Sequence, residues 1–380
     1  MASRRRWSIS ITAPWRTASL LSAALACAAV SAQSPPATFP PAPDARPAAE
    51  QALAAGRDAL FRGDGERALR LLSEARPALE EDPRWVRAAA LDALALGRPY
   101  RAMELFARLG PADPQAPALV RALLRRVAAP GGPAPIRPSG QRWPGLTPEF
   151  LRTVVALRPA RDGGVVLLTA AQVHLVGADG LLRASQPLPG GVDLNVDAGG
   201  LPLALGRGQF FLADHAVALP PTLQEAVSIA ATPDGRILVL DAGARALVIL
   251  DGKGALLDRK PLSVQEPGRV RVDGLGRVFV TDRRDRSVAI FRGDLTPLRS
   301  FSPERAGLQA RRVDDLQVDV AGDMLLLDAR KGQLALVTAE GRILGESARE
   351  AFSATAVGWD GLDTFLVLDE RALTLGRAEW

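Results

Sequence analysis

From Phe150 onward, apolar runs of about five residues alternate with short turns rich in Gly, Asp and Pro. The clearest phrase is the turn Pro233-Asp234-Gly235, then Arg236-Ile237-Leu238-Val239-Leu240 closed by Asp241, then Ala246-Leu247-Val248-Ile249-Leu250. It returns as Gly276 to Asp282 with Ser287 to Phe291, and as Gly322 to Asp328 with Gln333 to Val337. A blurred copy is Phe365 to Asp369 with Ala372 to Leu375. The closing aspartates Asp241, Asp282, Asp328 and Asp369 stand 41, 46 and 41 residues apart. A strand phrase recurring every ~40 residues predicts a propeller or solenoid and not a single sheet. Cut at this period, residues 150–380 give six blades, and the sixth runs out after its third strand at Glu379-Trp380. An open strand edge invites pairing with other chains. A segment within 136–150 is therefore expected to supply the missing outer strand and close the ring.

Upstream, the period becomes helical. Gly63 and Gly97 are 34 residues apart, as are Ala68 and Ala102, Leu72 and Phe106, and Ala75 and Leu109. This register resembles the tetratricopeptide repeat (TPR), with a glycine at the inter-helix turn and a small residue where the helix pair packs. Pro114 matches the family's closing proline, whereas Glu80 stands at that register in the first repeat, and Ala59 and Ala93 replace an early aromatic. The resemblance covers about 49–116, with a capping helix from Pro117 to Val127. It implies protein–protein contact, usually a peptide in a concave groove. Two repeats serving only to shield one end of the propeller is the alternative. The Leu119, Val120, Leu123, Leu124 face reads as core. Arg121, Arg125 and Arg126 read as a solvated face or as charge at a helix C-terminus.

The strand phrase resembles the NHL repeat, most closely in Pro267-Gly268, Val270 to Asp273, Gly276, Val278 to Asp282 and Ser287 to Phe291. The loop Arg283-Arg284-Asp285-Arg286 stands where that family typically has Asn or Ser. The resemblance implies a closed six-bladed ring. The expected fold class is thus multidomain: a short α-helical TPR-like module and an all-β six-bladed propeller.

The remaining stretches set the domain plan. Residues 1–32 read as a signal peptide: Arg4-Arg5-Arg6, then apolar Ala18 to Val30, then Val30-Ser31-Ala32 with small or compact residues before a cleavage point after Ala32. An uncleaved anchor is the alternative, and the arginines loosely resemble a twin-arginine export signal. Cys27, the single cysteine, follows Ala24-Leu25-Ala26 and resembles a lipoprotein acylation site. Residues 33–47 form a Pro/Ala-rich tether, 48–127 the helical module, 128–149 a Pro/Gly-rich linker holding Trp143, and 150–380 the propeller. The chain of 380 residues carries a formal charge of +5, and the four arginines of the leader account for all but +1 of it. A near-neutral remainder excludes a nucleic-acid binder, which needs a basic stripe.

Catalytic signatures are sparse. The sequence holds one asparagine, Asn195, and two histidines, His174 and His215, too few for the multi-Asn or multi-His metal sites of propeller lactonases and lyases. The strand-ending aspartates read as turn caps that accept backbone N–H groups. Asp314-Asp315 with Asp319 reads as a solvated acidic group. No nucleophile motif or phosphate-binding loop is present, and no catalytic residue, metal ligand or cofactor is expected. The candidate partner-contact residues are the arginine loops Arg283, Arg284 and Arg286, and Arg311 and Arg312.

The sequence thus points to an exported bacterial envelope protein, periplasmic or secreted, with a lipid anchor at Cys27 as an option and no transmembrane helix in the mature chain. Its role is a scaffold for unidentified envelope proteins. The alternatives are a metal-dependent propeller hydrolase or lyase, lactonase-like, with a degenerate site, and a glycan-binding module, which the 5% aromatic content disfavours.

Overall fold

The computed structural model describes residues 45–380 except 111–112, 114–115, 129–132, 139–142, 144–145, 161–162, 197–200, 214, 360, 362–363, 369–372 and 379–380. Cys27 and the cleavage point at Ala32 lie outside the described residues, as do Pro114 and Asp369. Asp44–Trp380 forms one compact unit, so the helices and the propeller fold against each other.

Five helices come first: α1 (Arg46–Phe61), α2 (Gly65–Leu79), α3 (Pro83–Ala95), α4 (Pro99–Leu109) and α5 (Ala116–Ala128). The 34-residue recurrence of glycine has a local cause. Gly63 and Gly97 take φ of 76° and 69°, the left-handed conformation open to glycine. Each ends its helix with the same pair of bonds: Gly63 N–H donates to Leu60 O and Asp64 N–H to Ala59 O, and Gly97 N–H donates to Leu94 O and Arg98 N–H to Ala93 O. Asp64 caps α2 through Arg67 N–H, and Asp82 caps α3 through Arg84 N–H. Ala68, Ala102 and Phe106 are fully buried, as the small-and-large pairing requires. Leu119 and Leu123 are core, whereas Leu124 is exposed.

The strands form five hydrogen-bonded sheets. Four have four strands each. They are β2 (Val154–Pro159), β3 (Val165–Thr169), β4 (Gln172–Val176) and β5 (Leu182–Pro187); β6 (Asp193–Val196), β7 (Pro202–Gly206), β8 (Gln209–Leu212) and β9 (His215–Ala218); β10 (Ala226–Ala231), β11 (Ile237–Asp241), β12 (Ala246–Leu250) and β13 (Leu256–Pro261); and β14 (Pro267–Val272), β15 (Val278–Asp282), β16 (Ser287–Phe291) and β17 (Pro297–Phe301). The fifth has eight strands. It joins β18 (Asp315–Val318), β19 (Met324–Asp328), β20 (Gln333–Val337) and β21 (Ile343–Ser347) to β22 (Ala356–Trp359), β23 (Thr364–Leu368) and β24 (Leu373–Ala378) through β1 (Ala134–Pro138).

The six separate blades expected from the period are therefore corrected to five sheets. The physical reason is β1, which pairs antiparallel with β24 (Ile136 opposite Ala378) and parallel with β21 (Ile136 opposite Ser347). Both outer edges at that point are satisfied by one strand, so two strand groups merge. The closing strand begins at 134 and meets the expected range only at 136–138. The inner strands β2, β6, β10, β14, β18 and β22 follow one another around the axis, and β22 packs back on β2. Apolar clusters fill the spaces between neighbouring groups; Phe279 and Ile290, for example, pack with Leu316 and Leu326. Trp143 docks beside Leu151 and Val154 at the start of the propeller.

Candidate functional site

Successive strands of each group run antiparallel, so turns joining first to second and third to fourth strands emerge on one face of the ring. The helices sit on that face. Phe61 at the end of α1 seats against Gly276 of the β14–β15 turn and Gly293 of the β16–β17 turn. A Cβ on Gly276 would meet the Phe61 ring at 2.4 Å. Arg236 lies over the same ring, 4.6 Å from its centroid. The helical core continues onto the propeller through Leu275, Val320 and Ala321.

The strongest contact comes from α5. Arg125 Nη2 donates to Asp319 Oδ2 at 2.7 Å and its Nη1 to Gly361 O at 2.8 Å, while its guanidinium lies 5.1 Å from the Trp359 ring centre. Arg126 donates from Nε and Nη2 to Asp323 Oδ1, and from Nη2 to Ala321 O. Arg125, Asp319 and Asp323 are buried. Burial and the adjacent Asp323 push the Asp319 carboxyl up, against the pull of Arg125 and Arg126. These residues correct two expectations. Arg125 and Arg126 are not a solvated helix face, and Asp319 is not a solvated acid, because the propeller face removes both from water.

Between helices and propeller lies a cavity of about 990 Å³, at the upper end of the range of ligand pockets. Arg57, Leu60 and Phe61 of α1, Arg87 and Leu91 of α3, and Ala118 of α5 form its roof. The ends of β2, β6 and β22 form its floor with Arg158, Asn195 and Trp359, joined by the turns at Asp234, Asp273 and Asp319. The carboxylates in this lining have cationic partners: Asp58 with Arg62, Asp234 with Arg236, Asp273 with Arg277 and Asp319 with Arg125. Arg84 pairs with Asp82 and Arg87 with Asp113. Arg57 and Arg158 have no carboxylate partner among the described residues.

Below the floor the channel is filled by charge. Arg271 on β14 reaches past β10 to Asp193 on β6, with Nη1 to Oδ2 at 2.8 Å and Nη2 to Oδ1 at 3.0 Å. Arg271 Nε donates to Leu316 O at 3.0 Å, Ser228 Oγ donates to Asp193, and Arg269 Nε lies 3.5 Å from Asp315. Asp315 accepts Val357 N–H at 3.1 Å. Burial alone would raise Asp193, but Arg271 and Arg269 outweigh it and hold its carboxyl well below the usual range. Arg158 donates from Nη1 to Leu157 O at 2.6 Å, and its Nη2 has no hydrogen-bond partner. Burial, with Arg271 and Arg269 beside it, outweighs the support of Asp315 and Asp193 and pulls the Arg158 guanidinium down to about 9. Sequence reading missed this cluster. Its signal was polar residues at alternate positions of otherwise apolar inner strands, as in Arg269-Val270-Arg271 and Asp315-Leu316-Gln317.

The arginines expected at a partner surface lie on the far face. Arg283, Arg284 and Arg286 occupy the exposed β15–β16 turn, and exposed Arg311 and half-buried Arg312 precede β18. Arg312 pairs loosely with Asp314 at 3.4 Å. The strand-ending aspartates cap turns: Asp282 accepts N–H bonds from Gln265, Glu266, Arg284 and Asp285, and Asp241 from Gln224, Glu225 and Ala244. His174 bonds Ser185 Oγ at 2.8 Å and meets Phe150 edge-on, and burial lowers its pKa. Among the described residues no group of three or more His, Cys, Asp or Glu stands at metal-ligand spacing. No described helix is long and apolar enough to cross a membrane.

No family model matches the sequence, and no curated protein matches it. Solved structures of similar shape are propeller proteins. A streptogramin B lyase is 9% identical with a TM-score of 0.47, over 64% of this chain and 98% of that one. Virginiamycin B lyase from Staphylococcus aureus is 10% identical with a TM-score of 0.47, over 64% and 99%. A Bacteroides thetaiotaomicron protein is 12% identical with a TM-score of 0.48, over 63% and 72%. These likenesses add nothing to what the strand pairings already establish.

Proposed function

We propose that this chain is an exported bacterial envelope protein acting as a non-catalytic binding scaffold, in which TPR-like helices close over an NHL-like propeller. The observation that carries the reading is the chamber between helices and propeller. The helices turn one side toward the propeller and roof a cavity of about 990 Å³ with it. Both walls are tied together by the buried Arg125–Asp319 pair and the half-buried Arg126–Asp323 pair, so the chamber is preorganised. Its lining mixes apolar side chains with a few polar groups, the composition that binding sites share.

The test compares two variants of the full chain, cross-linked in envelope preparations and examined by mass spectrometry for bound species. Ala54→Trp places an indole in the chamber from an exposed position. The triple change Arg283→Glu, Arg284→Glu, Arg286→Glu reverses charge on the far face. The expected result is one stoichiometric bound species, kept by the triple variant and lost from Ala54→Trp. The reverse pattern moves binding to the far face and overturns the chamber. No bound species, together with stoichiometric calcium or zinc in the purified protein, overturns the scaffold in favour of a propeller hydrolase or lyase.

A further inference from the structure

We infer that the chamber takes an amphipathic organic monocarboxylate, its carboxylate seated on Arg158 at the floor and its apolar body beneath the helices. The inference rests on the chamber reading and deepens it by naming the ligand class.

Charge arithmetic sets the sign and size of the ligand's head. The axial cluster holds three guanidiniums, Arg158, Arg269 and Arg271, against two carboxylates, Asp193 and Asp315. Arg269 and Arg271 make the ion pairs with both carboxylates, which reach Arg158 only at longer range, so the cluster keeps one net positive charge and Arg158 is its guanidinium without an ion-pair contact. A buried unmatched cation is costly, and a single negative charge beside it removes that cost. One carboxylate supplies that charge. A phosphate dianion would overfill the site, and a neutral alcohol would leave it uncompensated.

Geometry agrees. Arg158 is 2% exposed and belongs to the chamber lining. Its Nη1 is engaged by the Leu157 carbonyl, while Nη2 is buried with no acceptor. A buried donor without a partner is rare in folded proteins and marks a place where an acceptor belongs. The protein around it offers none, because the carboxylates on the chamber wall are already paired. Arg57 on the roof adds a second cation without a carboxylate partner and draws anions toward the chamber. Leu60, Phe61, Leu91 and Trp359 supply the apolar wall that an inorganic anion would leave unused.

The experiment titrates the full chain with dodecanoate, dodecanol and inorganic phosphate by calorimetry. Dodecanoate is expected to bind at one site. Dodecanol, with the same body and no charge, should bind at least about tenfold more weakly, the worth of a charge-assisted hydrogen bond in a dry site. Arg158→Met should lose dodecanoate binding by at least about tenfold while keeping the wild-type circular dichroism spectrum. Arg57→Gln, an exposed change, should weaken binding by a smaller factor that salt erases. Equal affinity for dodecanoate and dodecanol, full binding by a folded Arg158→Met, or binding of phosphate in place of dodecanoate overturns the assignment. The two readings fail differently. An envelope ligand kept by Arg158→Met and lost from Ala54→Trp sinks the anion assignment and leaves the chamber standing. One kept by both variants sinks the chamber itself.

Discussion

Arg125 in the last helix of the cap and Asp319 in the β18–β19 turn form a 2.7 Å ion pair with both side chains out of water, joining positions 194 apart in the chain. Around it, Asp319 Oδ1 accepts the N–H groups of Ala321 and Asp323, so the carboxylate is positioned by its own turn as well as by the helix. The pair is a latch between two structural layers.

Removing one partner of such a pair leaves the other charge buried and alone, which costs about 3–5 kcal/mol. Arg125→Met should therefore release the helical cap while the propeller stays folded. Hydrogen exchange should show protection lost across 46–128 and kept in β10 to β17. Equal loss of protection in the propeller strands would mean that the two layers unfold as one.

Closure of the ring gives a second prediction. Ile136 is 2% exposed and shares one apolar cluster with Leu327 and Leu334 of one flanking strand group and Phe365 of the other. Ile136→Ala should cost about 2–5 kcal/mol. Ile136→Asp should expose β21 and β24 edges and promote association, visible by light scattering.

Asp92 on α3 is 2% exposed, its Oδ1 has no hydrogen-bond partner, and burial raises its pKa to about 6, with Arg98 opposing and Glu66 adding to the rise. The native state therefore holds this proton over a pH range where the unfolded chain, near 3.8, has lost it. Stability falls as pH rises from about 4 to 6 and then levels. Asp92→Asn should be near neutral at pH 4 and stabilising by about 2–3 kcal/mol at pH 7.5. Urea midpoints at the two pH values check this, and equal effects at both would refute it.

Asp282 accepts four backbone N–H groups from two loops. Asp282→Ala should cost about 2–4 kcal/mol in urea denaturation, and Asp282→Asn should recover part of it. Metal content should be unchanged, since the role is to cap a turn.

Regularity decided what the sequence revealed. Gly63 and Gly97, and Asp241, Asp282 and Asp328, are read easily because each set repeats one local hydrogen-bond job at a similar spacing. The strand phrase gave the propeller for the same reason. Merging of two strand groups through β1 was not legible, because pairing on both sides of one short strand leaves no mark in its own residues. Arg125 and Arg126 misled for a related reason. Charge near a helix end looks solvated until a second layer covers it. Arg271 and Asp193 are 78 residues apart, and nothing local in either strand announces that they meet.

The double pairing of β1 also bears on the order of folding. Its partners are completed only when residues 343–347 and 373–378 are present, more than 200 positions after Ile136. The ring is therefore sealed late, by long-range contacts that carry a large loop-closure cost and slow folding. Until then the early strands can pair among themselves, while β21 and β24 stay unsealed. A chain threaded through a membrane from its N-terminus would emerge with its clasp first and its catch last, and it would need shelter from aggregation during that interval.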